Sequence, residues 1–155
     1  MWRQIVGVVL LGCVGTAFAV TGERGSPEEA RVLAERAARV LEASGSDRDQ
    51  VLERFIAPST EFVDRDLYVF VLDLEGTLHA HGDNARLVGK SMIKLKDIRG
   101  QYIARNAIDT AIRNQAGWTP EYHFPDPISR KIGVKQSYVI KVGDLVVGVG
   151  FYKPS

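Results

Sequence analysis

Two of the chain's three histidines, His79 and His81, close the stretch Tyr-Val-Phe-Val-Leu-Asp-Leu-Glu-Gly-Thr-Leu-His-Ala-His at residues 68–81. Residues two apart on a strand share a face, so the two imidazoles could share an ion. A metal site needs at least a third protein ligand, and Asp83 is the only acid close by, so no metal is expected. The stretch begins as an unbroken apolar run with β-branched and aromatic residues, the pattern of a buried strand. Leu74-Glu75-Gly76-Thr77 then turns the chain back, with Gly76 free to take a positive φ. A hairpin whose first strand offers water no polar face belongs near the middle of a sheet. Its histidine end reads as the floor and one wall of a small-molecule pocket.

Catalytic alternatives are weak. Asp73-Leu74-Glu75-Gly76-Thr77 resembles the D-x-D-G-T motif of haloacid-dehalogenase-type phosphotransferases, in which the first Asp is the nucleophile and the second the acid. Here Glu75 replaces the second Asp, no later acidic pair offers a magnesium site, and the alternating βα units of that fold are missing. Asp73 and Glu75 read as turn formers. There is no nucleophile elbow, and the glycines near residue 148 lie in a strand rather than before a helix. Neither an enzyme nor a bound cofactor is expected.

The first nineteen residues read as an address. Arg3 supplies a basic start, residues 5–14 a short apolar run, and Ala17-Phe18-Ala19 an A-x-A cleavage site. Leu10-Leu11-Gly12-Cys13 resembles a lipobox, which makes lipidation at Cys13 the second reading. An uncleaved anchor is the third, because residues 5–20 fall short of the ~20 a spanning helix needs. All three place residues 20–155 outside the cytoplasm, periplasmic or secreted. Cys13 is the only cysteine, so a chain cleaved after Ala19 has neither a disulfide nor a thiolate. Without Arg3 the chain carries 19 basic and 19 acidic residues, which argues against a nucleic-acid partner.

The elements that must position the histidine end follow in order. Ser26-Pro27-Glu28-Glu29 is a helix start, with Ser as N-cap and Glu29 closing a capping box. Leu33, Ala37, Val40 and Leu41 share one face of that helix. Ser44-Gly45-Ser46 interrupts it before a second helical stretch at 47–56; one bent helix is favoured over two. Residues 82–97 form a small-residue loop. Helical period returns at 100–114 with Ile103, Ala107, Ile108, Ala111 and Ile112 on one side, and Gly117 is the expected stop. Residues 118–124 alternate as one strand that groups Trp118, Tyr122 and Phe124, with His123 opposite and exposed. Residues 134–142 and 145–152 form a hairpin across Gly143-Asp144. The order predicts an α+β fold with five antiparallel strands.

Taken together, these motifs resemble the extracytoplasmic single Cache domains. The residues that carry the likeness are Tyr68–Thr77 with Ala80-His81, Asn84…Leu87-Val88-Gly89-Lys90, Gly117-Trp118…Tyr122 with Pro125-Asp126-Pro127, Lys135–Val139, and Val142–Leu145…Gly148–Tyr152. The resemblance implies a PAS-like sheet with the long N-terminal helical region (26–57) on one face, and a sheet core at 67–153. It also implies that small metabolites, often short carboxylates, bind on the face away from that helix. Ala85, Phe124 and Asp126 stand where the family often has Pro, Trp and Asn. The chain ends at Ser155 without an output domain, so it is expected to act alone.

Chemistry and resemblance together nominate Tyr68, His81, Trp118, Tyr122, Lys135 and Tyr138 as ligand contacts, since an anion needs cations, phenols or an imidazole. Lys135 and Tyr138 have opposite parity on a regular strand, so one of them requires a bulge. The expected partners are a small-molecule ligand and a membrane signalling protein or transporter. The alternative is an interaction module that dimerises through the N-terminal helix with no exchangeable ligand.

Overall fold

The computed structural model describes residues 24–59 and 61–154. The cleavage and lipidation sites lie outside the described residues. Helix α1, Pro27–Glu42, starts as its sequence dictates: Ser26 Oγ accepts from the Glu29 amide, and the Glu29 carboxylate accepts from the Ser26 amide at 2.7 Å. Its face of Ala30, Leu33, Ala34, Ala37 and Leu41 is buried. A single 3-10 turn at Gly45–Asp47, with Gly45 at φ +51°, separates it from α2, Arg48–Arg54. There are therefore two helices, not one bent helix.

The described strands are β1 (Val63–Asp64), β2 (Leu67–Asp73), β3 (Leu78–His81), β4 (Ala116–Trp118), β5 (Tyr122–Pro125), β6 (Ile132–Val142) and β7 (Leu145–Tyr152). All pair antiparallel in the order β1-β2-β7-β6-β4, with β3 also on β2 and β5 also on β6. Seven strands thus fill five positions across the sheet, because β1 and β3 share one edge and β4 and β5 the other. Helix α3, Ile103–Asn114, is inserted between β3 and β4. It ends at Gln115, which takes φ +63° itself, so Gly117 is free to serve in β4.

The sheet separates two apolar layers. Val69, Val71, Leu145, Val147, Val149 and Phe151 face α1 and α2. Phe70, Leu72, Leu78, Val139 and Val146 face the other way and meet Ala104, Ala107, Ile108 and Ala111 of α3. Ile112, expected on that stripe, is 49% exposed. This is an α+β, PAS-like antiparallel sheet with an N-terminal helix on one face.

The register slips by one residue at two places. On β3 the pairs run Phe70↔His81 and Val71↔Ala80, then Leu72↔Leu78, which leaves His79 as the extra residue of a bulge. On β6, Trp118 pairs with Tyr138 but Tyr122 pairs with Lys135, so one residue too many lies between β4 and β5. Pro120 cannot donate to a ladder, and the expected single strand breaks around it. Thr119 takes over the pairing locally: its amide donates to Ser137 O at 2.9 Å, and its Oγ1 accepts from the Ser137 amide at 3.2 Å.

Candidate ligand-binding site

On the face away from α1 the sheet leaves a cavity of about 400 Å³. Because strand residues alternate between faces, Tyr68, Phe70 and Leu72 of β2 line it, as do Lys135 and Ser137 of β6. Tyr122 and Phe124 of β5 close one side, α3 supplies Ile103, Ala104 and Ala107, and the segment 82–98 lies over it with Leu87, Met92, Leu95 and Ile98. The register slips decide which side chains arrive here, since a one-residue shift moves every later side chain to the other face.

Four of the six nominated residues, Tyr68, His81, Tyr122 and Lys135, line the cavity. Trp118 and Tyr138 do not. As cross-strand partners they stand edge-on to one another at 5.1 Å and pack into the layer beneath α1, where Trp118 also meets Phe151. The slip at Pro120 is the reason: it uncouples Trp118 from Tyr122. No bulge intervenes within β6, so the parity of Lys135 and Tyr138 stays opposite. The other slip separates the histidines. His79 turns to Asp73, with Nε2 2.8 Å from Oδ2, while His81 faces the cavity, so the two imidazoles do not share a face.

Lys135 is the centre of the polar end. Its side chain is only 1% exposed, and Nζ donates to Tyr68 Oη at 2.6 Å. The ammonium also stands 3.8 Å from the Tyr68 ring centre, 4.8 Å from that of Tyr152 and 5.3 Å from that of Phe124. Among the described residues no carboxylate lies within ion-pairing distance of it. Burial therefore lowers its pKa from 10.5 to about 7, against the weaker pull of Asp83, Asp66 and Asp126.

The neighbouring polar groups present donors. His81 Nδ1 accepts from the amides of Asp83 and Asn84 at 3.3 and 3.0 Å. Burial, helped by the Lys135 charge, lowers its pKa to about 3, so the ring is neutral and carries its proton on Nε2. That N–H has no protein partner among the described residues. Tyr122 Oη and Ser137 Oγ are joined at 2.7 Å by one hydrogen bond, which leaves the pair one further proton to donate. Burial raises the Tyr122 phenol to about 12, so it stays protonated. Tyr152 Oη donates its proton to Pro125 O at 2.5 Å and so can only accept, weakly, from Tyr68 Oη at 3.4 Å.

Several lining residues escape the sequence reading. Ser137 lies two residues from Lys135 on β6 and so shares its face. His123 was expected to be exposed but is largely covered and lines the cavity, its amide and Nδ1 both on Asp97 Oδ2 at 2.9 and 3.1 Å. That link ties the overlying segment to β5 and has no sequence signal. Gly148 and Gly150 make room: a Cβ on Gly148 would lie 2.3 Å from the Phe70 ring, and one on Gly150 2.2 Å from Lys135 Cε. The floor and its lysine can lie flat on β7 only because these positions carry no side chain.

The single Cache domain 2 family model matches residues 19–153. The chain belongs to that family. Solved structures agree on the fold of this Cache domain. One is a methyl-accepting chemotaxis protein from Vibrio parahaemolyticus RIMD 2210633, with TM-score 0.66 and 22% identity over 81% of this chain and 86% of that one. Another is a Cache chemosensory domain solved for the structural basis of its carboxylic acid recognition, with TM-score 0.68 and 22% identity over 82% and 92%. A third is the periplasmic sensor domain of a chemotaxis protein, with TM-score 0.63 and 25% identity over 82% and 90%. A comparison with curated proteins finds no match.

Proposed function

We propose that this Cache domain is an extracytoplasmic sensor that binds a short organic carboxylate and passes its occupancy to a membrane signalling protein or transporter. The observation that carries this reading is the buried Lys135 ammonium, which has no carboxylate partner among the described residues and lines a cavity large enough for a guest. In this reading the ligand's carboxylate accepts from Lys135 Nζ, from His81 Nε2–H and from the spare proton of the Tyr122–Ser137 pair. Membership in a sensor family, and the neighbour that recognises carboxylic acids, support it. Helix α1 spends its apolar stripe on the sheet, which leaves Val32 as its exposed large hydrophobic residue. Little on that helix recommends the dimerisation alternative.

Heating residues 20–155 with a panel of monocarboxylates, amines and amino acids tests the reading. A carboxylate at about 100 times its dissociation constant should add about 2.7 kcal/mol, whereas amines of matching shape should add nothing. A protein indifferent to every acid in the panel would sink the reading.

The pH dependence has a fixed sign. The folded-state pKa of Lys135, about 7, lies below its unfolded value of 10.5. Between those values the unfolded chain binds more protons, so the stability of the empty protein rises with pH across that window. Carboxylate binding needs the ammonium, so affinity holds below pH 7 and falls about tenfold per unit above it, to roughly a hundred-fold weaker at pH 9. Titration calorimetry at pH 6 and pH 9 with the same acid checks this; equal affinities at both would remove Lys135 from the site.

A further inference from the structure

The buried polar groups of the cavity gather around Lys135, and its floor becomes apolar away from them. Along β2 the lining runs Tyr68, Phe70, Leu72, and along β6 Lys135 and Ser137 give way to Val139, which packs with Leu72. Tyr68, which holds the Lys135 ammonium, and Leu72 are four residues apart on β2, about 13 Å at the ordinary rise of a strand. Beyond Phe70 the walls are Leu72, Leu78, Leu87, Met92, Ile103 and Ala107. The rim carries exposed apolar side chains beside Asp83, Asn84 and Lys96: Leu95, Ile98 and Ile132 belong to the cavity wall and are 41%, 72% and 51% exposed.

Of the other charged groups at the cavity, Lys96 is exposed and holds its ammonium 4.6 Å from the ring centre of Tyr102, which is not part of the lining. Asp97 is saturated: Oδ1 accepts from the Arg99 and Gln101 amides at 2.9 and 2.8 Å, and Oδ2 accepts from His123 twice. An α-ammonium beside the carboxylate would sit against Lys135, and Asp83, the acid of the lining with the strongest pull on that lysine, is exposed to water, which weakens any pairing with it. The size is informative as well. At about 30 Å³ per displaced water, a three-carbon acid with five heavy atoms fills well under half of the 400 Å³.

We infer that the ligand is a monocarboxylate with an unbranched or lightly branched apolar tail of about five to seven carbons beyond its carboxyl carbon, lying over Phe70 toward Leu72 and Ala107. A two- or three-carbon acid is the weak ligand of this site. The inference rests on the proposed seat of the carboxylate at Lys135 and adds the tail to it. Burying a methylene tightens binding about fourfold, so the three extra methylenes of hexanoate should make it roughly fifty-fold tighter than propionate. Leucine, which carries an ammonium on the same kind of tail, should bind no better than propionate.

The test is titration calorimetry of residues 20–155 with propionate, butyrate, hexanoate, octanoate and leucine, repeated on Ala107→Leu. The expected result is a steady gain to hexanoate that is largely erased by Ala107→Leu while propionate binding persists, which also shows that the variant folds. Propionate binding as tightly as hexanoate would overturn the tail and leave the carboxylate reading standing. Binding of no acid at any length overturns both. An unchanged hexanoate-to-propionate ratio in folded Ala107→Leu overturns the placing of the tail against α3. The wild-type series decides the ligand class even if that variant fails to fold.

Discussion

Lys135→Met should abolish the response to carboxylates and leave the ligand-free protein at least as stable as the wild type. Removing one partner of a buried charge pair costs about 3 kcal/mol, so affinity should fall by at least roughly a hundred-fold. Stability should move the other way. Among the described residues the ammonium is surrounded by the rings of Tyr68, Tyr152 and Phe124 and has one hydrogen bond, to Tyr68 Oη. Replacing a buried charge by an apolar side chain of similar reach is neutral or stabilising, and an unbranched thioether fills an irregular space well. The rise in stability between pH 7 and 10 that the buried ammonium brings should disappear with the lysine. A structural lysine gives the opposite pattern. If Lys135→Met melts several degrees lower while hexanoate still shifts it, the ammonium holds the fold and not a ligand.

How much of this was legible follows from where the register is regular. The apolar runs at 68–73 and 145–152 have one reading as strands, and the Gly143 turn, at φ +59°, fixes how β6 and β7 pair. From that hairpin the parity of Lys135 against Tyr138 follows directly, and the structure keeps it. The site was half legible for the same reason. Parity carries Tyr68 and Lys135 to one face, but the partners opposite them depend on two slips. At Pro120 the sequence signal is present, since a residue without an N–H interrupts a ladder, yet alternation on both sides of it masks the break. At His79 no local signal exists: Leu78-His79-Ala80-His81 alternates cleanly, and the bulge is selected by the Asp73 carboxylate reaching His79. The contact of His123 with Asp97 spans 26 residues and depends on how the overlying segment folds back. Nothing local encodes that.

Gly150→Ala should disable the site from behind, through the lysine rather than the ligand. A Cβ at this position would lie 2.2 Å from Lys135 Cε and 2.5 Å from Ser137 Oγ, closer than side chains approach. Ser137 can rotate its hydroxyl away, at the cost of its bond to Tyr122. The lysine has less room at Cε, because the adjoining Nζ is held by Tyr68. Overpacking of this kind costs about 1–3 kcal/mol. Any relief lifts Nζ off its present position, so hexanoate affinity should fall at least tenfold, as expected when a hydrogen bond to a charged group is lost. The coupling is directional and can be measured. In a Lys135→Ala background the Cδ and Cε atoms are gone, and the penalty of Gly150→Ala should shrink by about 1 kcal/mol or more, a non-additivity characteristic of residues in contact. Gly143→Ala is the control: its Cβ would meet open space, but its φ of +59° disfavours a side chain, so it should lower stability by about 1 kcal/mol and leave hexanoate affinity unchanged. Equal penalties for Gly150→Ala with and without Lys135 would show that the glycine serves the strand alone, and that the lysine reaches the cavity without its help.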